Sequence, residues 1–111
     1  EKGFDAVIEC WGGKVVMSKE ELNDKQPVSP VDYTKELNCP ILGLFGADDE
    51  SPTPEQVKIH ENELKKHNKN YEFHMYESAG HGFFYYDKPV YRPEACQDGW
   101  EKIFDFLERK L

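Results

Sequence analysis

No apolar run in these 111 residues approaches the ~20 needed to cross a bilayer, and no basic segment followed by an apolar stretch opens the chain as a signal peptide would. Cysteine is scarce as well: Cys10, Cys39 and Cys96 lie far apart, form no CxxC pair and leave an odd thiol in any disulfide scheme. Reduced thiols fit a cytoplasmic location, which is the expectation. Positive charge is in short supply, with 14 Lys and Arg against 22 Asp and Glu and a net charge of −8. Such a field repels phosphate backbones and anionic lipid, so neither nucleic acid nor a membrane is an expected partner. His60, His67, His74 and His81 recur every seven residues, but they straddle a helix, a strand and a loop, and Asp48-Asp49-Glu50 lacks the spacing of a calcium loop. No metal or other cofactor is expected, and Asp49 and Glu50 read as solvated.

What is present is globular: 38% hydrophobic and 14% aromatic residues are enough for a modest core. The length suits one small domain, 1–111, or part of a larger one. Phe4 to Cys10, FDAVIEC, reads as a short buried strand stopped by Trp11-Gly12-Gly13. Glu1 to Asp5 runs straight into it, so a preceding segment is expected. Lys14 to Glu36 loses periodicity and reads as an excursion, with one helical turn around Val31 to Leu37.

Ile41 to Gly46, ILGLFG, is a continuous apolar run of the kind found in a central parallel strand. A polar loop, Ala47 to Pro52, follows it. Thr53, Pro54 and Gln56 then spell a capping box, and Val57, His60, Leu64 and His67 form one face of a helix that packs on a sheet. Tyr71 to Tyr76 alternates like an edge strand, with Phe73 and Met75 on one side and Glu72, His74 and Tyr76 on the other. Pro93 opens a last helix with the stripe Cys96, Trp100, Ile103, Phe104, Leu107 and Leu111. The fold class is three-layer α/β: a small, mostly parallel sheet of about three strands flanked by helices.

In such a sheet ligands collect at the carboxyl ends of the strands. Asp48 follows one strand and His81, between Gly80 and Gly82, follows the next, so both loops open on the same rim. An acid that orients an imidazole there matches the last two members of a nucleophile–acid–histidine triad. On spacing alone, a turn histidine and an unrelated loop acid serve equally well. The nucleophile itself is missing, because Cys10, Ser29, Ser51 and Ser78 all lack the paired glycines of an elbow. Cys10, near the rim, is the nearest substitute and reads better as a packed thiol.

The run ILGLFGADDESPTPE, a helix, YEFHMYESAGHGFF, and RPEACQDGWEKIFDFL resembles the C-terminal half of the dienelactone hydrolase family, the carboxymethylenebutenolidase-like proteins. FDAVIECWGG is similar to the strand and glycine turn after that family's nucleophile helix. The resemblance covers nearly the whole chain and implies part of an α/β-hydrolase fold. It implies a carboxylic ester or lactone hydrolase working through an acyl-enzyme, with Asp48 and His81 as the catalytic acid and histidine. It places the nucleophile, usually a cysteine, upstream of these residues, so that this chain alone is expected to be inactive. Trp11, Gly12, Glu50 and Tyr85 are the candidate pocket wall. Tyr85 stands where the family archetype carries a substrate-binding arginine, so dienelactone itself is not the implied substrate. The alternative is an inactive half-domain that acts by homodimerisation, or by pairing with a separate N-terminal half, through the free edge of the first strand.

Overall fold

The computed structural model describes residues 4–111, and its centre is the apolar run ILGLFG. That segment is strand β2, Ile41–Gly46, and all six of its residues are buried. Strand β1, Val7–Cys10, and strand β3, Tyr71–Tyr76, flank it in the order β1-β2-β3. Both pairings are parallel: Val7 lies beside Ile41, and Ile41 beside Tyr71. Helices cover both faces, which is why β2 has no polar side chain. The architecture is the expected three-layer α/β arrangement, and both outer strands are edges among the described residues.

Helix α1, Pro54–Lys66, covers one face and buries Val57, His60 and Leu64. Its start is the expected capping box: Thr53 Oγ1 accepts from the Gln56 N–H at 3.2 Å, and Gln56 Oε1 accepts from the Thr53 N–H at 2.9 Å. Helix α2, Pro93–Lys110, covers the other face, where Leu42, Leu44, Ala79, Phe83, Ile103 and Phe106 form the main core. Leu42, Leu44, Phe83 and Phe106 are fully buried, each stabilising by about 1.5–3 kcal/mol relative to exposure.

Three local expectations need correction. The first strand is ordered from Val7 rather than Phe4, which is exposed, and residues 1–3 lie outside the described residues. The buried line of α2 is Gly99, Ile103 and Phe106, whereas Trp100 and Phe104 are 47% and 64% exposed. They instead stack on each other with centroids 5.8 Å apart, and Phe84 covers Trp100. The helix turns its small residue, Gly99, toward the sheet, and that rotation lifts the large aromatics away. On β3, Met75 is the exposed residue. The polar side is half-buried because α2 covers it, with Arg109 donating to Glu72 and the Tyr76 hydroxyl donating to Asp98.

The excursion contains two 3-10 helices, Lys19–Glu21 and Pro30–Glu36, the second coinciding with the anticipated helical turn. No helix among the described residues is long and apolar enough to cross a membrane.

Candidate active site

The site begins with a glycine. A β-carbon on Gly46 would lie 2.2 Å from the Ala79 carbonyl oxygen, so only glycine lets the end of β2 meet the chain leaving β3. The Ala47 N–H donates to the Tyr76 carbonyl at 2.8 Å and the Asp48 N–H to the Ala79 carbonyl at 2.9 Å. These bonds join the two loops side by side at the carboxyl rim of the sheet. The Asp49 N–H then donates back to the Gly46 carbonyl at 3.2 Å, closing a tight turn.

That turn decides which acid faces the histidine. His81 pairs with Asp49 rather than Asp48: Asp49 Oδ2 is 2.8 Å from His81 Nδ1. Asp48 contributes its backbone to the loop junction and keeps its side chain exposed. Asp49, expected to be solvated, has a side chain only 2% exposed, and its Oδ1 accepts the Ser51 N–H at 2.8 Å. A carboxylate with both oxygens engaged and no access to water is well held to orient an imidazole. The residue type and the loop were readable from the chain; the choice between neighbouring aspartates rests on a backbone turn with no composition signal of its own.

The His81 side chain is 53% exposed. Its Nε2 has no hydrogen-bond partner among the described residues, and the ring borders an open cleft of about 530 Å³ lined by Gly13, Lys14, Asp48, Asp49, Glu50 and Ser51. Of the anticipated wall residues, Glu50 lines this cleft. Trp11 is buried and meets the His81 ring edge-on at 6.1 Å, so it supports the imidazole. Tyr85 packs on Trp11 at 5.3 Å and does not line the cleft, nor does Gly12, which faces Glu9. Lys14, the one basic residue of the lining, was not anticipated, since it lies in a stretch without periodicity.

No Ser or Cys among the described residues hydrogen-bonds His81. Cys10 is exposed at the end of β1, and partial burial, followed by the charge of Glu9, pushes its thiol above the ordinary value. That is the opposite of what a thiolate nucleophile needs. Ser51 lines the cleft, but it serves Asp49 through its backbone N–H. The four evenly spaced histidines are separated in space, each with its own acid: His60 with Glu9, His67 with Glu63, His74 with Glu72 and His81 with Asp49. Among the described residues no group of three or more ligating side chains could hold a metal ion.

A parallel sheet with helices on both faces and an acid–imidazole pair on its carboxyl rim defines a class, the α/β hydrolases, of which this is a partial fold. The family model of the dienelactone hydrolases matches residues 1–111, and the chain belongs to that family of hydrolases. A protein of Escherichia coli K12, provisionally named a carboxymethylenebutenolidase, is 34% identical over 100 residues, covering 90% of this chain and 36% of that protein. A similarly named protein of Yersinia pestis is 35% identical over 98 residues, covering 88% of this chain and 36% of its own. The crystal structure of a provisionally named dienelactone hydrolase from Klebsiella pneumoniae superposes with a TM-score of 0.81 at 32% identity, over 90% of this chain and 40% of that one. The chain thus spans about a third of the length of the curated relatives it matches.

Proposed function

We propose that this chain supplies the acid and the histidine of a carboxylic ester or lactone hydrolase, with His81 as general base and acid and Asp49 as the residue that orients it. The observation that carries the reading is the buried Asp49 carboxylate on His81 Nδ1, with Nε2 unpaired on an exposed ring that borders the cleft. With Asp49 accepting a hydrogen bond from Nδ1–H, Nε2 keeps the lone pair that takes a proton from a nucleophile. The resulting imidazolium, stabilised by Asp49, returns that proton to the leaving alkoxide. The nucleophile and its oxyanion donors come from a polypeptide segment outside these residues, with a GxCxG or GxSxG elbow.

The test is hydrolysis of an activated aryl ester. The 111-residue chain alone should show no turnover above the uncatalysed rate. Joined to the elbow-bearing part of a relative, it should turn over, and His81→Ala should abolish that gain. Turnover that ignores His81→Ala would overturn the reading.

A second reading is favoured by one observation: β1 is paired on one side only among the described strands, and Trp100 and Phe104 expose a stacked aromatic face on α2. An open parallel edge beside exposed apolar surface favours association with a second copy of the chain or with a complementary half. Sedimentation equilibrium should then show a dimer. A monomer at high concentration excludes the homodimer.

A further inference from the structure

Of the acid–imidazole pairs that the proposed chemistry does not use, one is closed off from water on both sides. Glu9 Oε1 lies 2.8 Å from His60 Nε2, between β1 and α1, with the two side chains only 12% and 10% exposed. Glu9 Oε2 and His60 Nδ1 are buried without hydrogen-bond partners. Burying such a pair is poorly repaid in stability, because desolvation offsets much of the attraction and an apolar pair of the same volume would do as well or better. A conformational role is the better account, and the surroundings of Glu9 show which one.

The chain after β1 folds directly over this carboxylate. A β-carbon on Gly12 would sit 1.8 Å from Glu9 Oε2, so the carboxylate occupies the space a side chain at residue 12 would need. On either side of Gly12 the chain runs beside the His81 ring. Trp11, in the left-handed region with φ 60°, sets its indole against the His81 ring in a T-shaped arrangement. Gly13 runs so close that a β-carbon there would lie 3.6 Å from His81 Cε1 and 3.0 Å from the Ser51 carbonyl. The other anchor of this turn is the Trp11 N–H bond to the Leu44 carbonyl at 2.9 Å. A continuous line of contacts therefore runs from His60 through Glu9 and the Trp11-Gly12-Gly13 turn to His81.

We propose that Glu9 and His60 are positioning residues for His81: their pair holds the Trp11-Gly12-Gly13 turn down on the sheet, and the turn walls the imidazole so that Nε2 faces the cleft. The proposal rests on the reading of His81 as the base, but its geometry can be tested without turnover. In the full chain, Glu9→Leu removes the partner of His60, whereas Glu9→Gln keeps a side chain of the same shape and one hydrogen bond.

Proton NMR reads the Trp11–His81 contact as a nuclear Overhauser effect between the indole and His81 Hε1, and as the ring-current shift of that proton. Glu9→Leu should abolish the Overhauser effect and move Hε1 toward its free-histidine position, with β2, β3 and α2 amide shifts unchanged. Glu9→Gln should restore both signals. A folded Glu9→Leu chain that keeps both would overturn the proposal. Should Glu9→Leu not fold, Gly12→Ala pushes on the same carboxylate from the turn. Loss of the contact in a folded Gly12→Ala chain supports the proposal, and a retained contact overturns it. An absence of esterase activity in the joined protein despite an intact Trp11–His81 contact would count against the hydrolase reading and leave the positioning geometry standing.

Discussion

Two of the four acid–imidazole pairs, one on the rim and one in the interior, differ in almost everything except their chemistry. Asp49–His81 straddles the surface, with a buried carboxylate and an imidazole 53% exposed, whereas Glu9–His60 is closed on both sides at 12% and 10%. Both are 2.8 Å contacts. What separates them is the second ring nitrogen: on His81 it is unpaired on an exposed ring beside a cleft, and on His60 it is buried without a partner. Proton transfer needs the first arrangement. The second can only hold elements together, so the free nitrogen, rather than the pair, is what distinguishes a histidine able to exchange a proton.

Breaking the comparison at its rim end should give the largest effect. In the joined, active protein, His81→Ala should lower kcat by about 10²–10⁴-fold, and Asp49→Asn should fall in the same range, because positioned acid–base groups contribute on that scale. Asp48→Asn should change kcat little, which distinguishes the two neighbouring aspartates. Urea unfolding of the Asp48 variant should stay within about 0.5 kcal/mol of the parent, as expected for an exposed side chain.

The buried end should respond first in stability. His60→Ala leaves Glu9 uncompensated in the interior and should cost about 3–5 kcal/mol in urea unfolding. A loss of less than about 1 kcal/mol would mean that the pair is no more than a surface-type contact.

Thr53→Ala sharpens the same comparison by weakening α1, which carries His60, without touching the pair. It removes the acceptor of the Gln56 N–H and should cost about 1 kcal/mol, with the Trp11–His81 contact intact.

The smallest effect concerns acid. The Tyr76 hydroxyl, donating to Asp98, holds that carboxyl below its ordinary value, with Lys102 assisting. Burial, and then Asp98 itself, push the Tyr76 phenol up. A carboxyl lowered in the folded state contributes stability above its unfolded pKa and loses it as pH falls through the folded value. Tyr76→Phe should therefore reduce stability at neutral pH and flatten the loss on acidification below about pH 4. Asp98 is well exposed, so the difference should stay under about 1 kcal/mol, read from denaturation midpoints at pH 7 and pH 3.

Much of the fold was legible in the chain because its signals are local. The continuous apolar run of β2, the capping box at Thr53 and the Gly80-His81-Gly82 turn each require only neighbours within a few residues. Less legible was the face of α2: six apolar residues make a stripe too broad to fix the helix's rotation, and contact with the sheet chose the line through Gly99, Ile103 and Phe106. Least legible was the pair Glu9–His60, since its partners are 51 residues apart and each has an ordinary neighbourhood. Evenly spaced histidines drew attention to the period, when the informative property was which acid each one meets.

The chain by itself determined the α/β layering, the carboxyl rim of the sheet and the place of His81 on it, because strand and helix periodicity and strand-end loops are properties of consecutive residues. Tertiary structure alone decided that Asp49 rather than Asp48 meets His81, and that Glu9 and His60 underpin the turn beside it. The physical reason is the close approach of Gly46 to the Ala79 carbonyl, which sets the loop's turn by contact with the chain leaving β3, some thirty positions away.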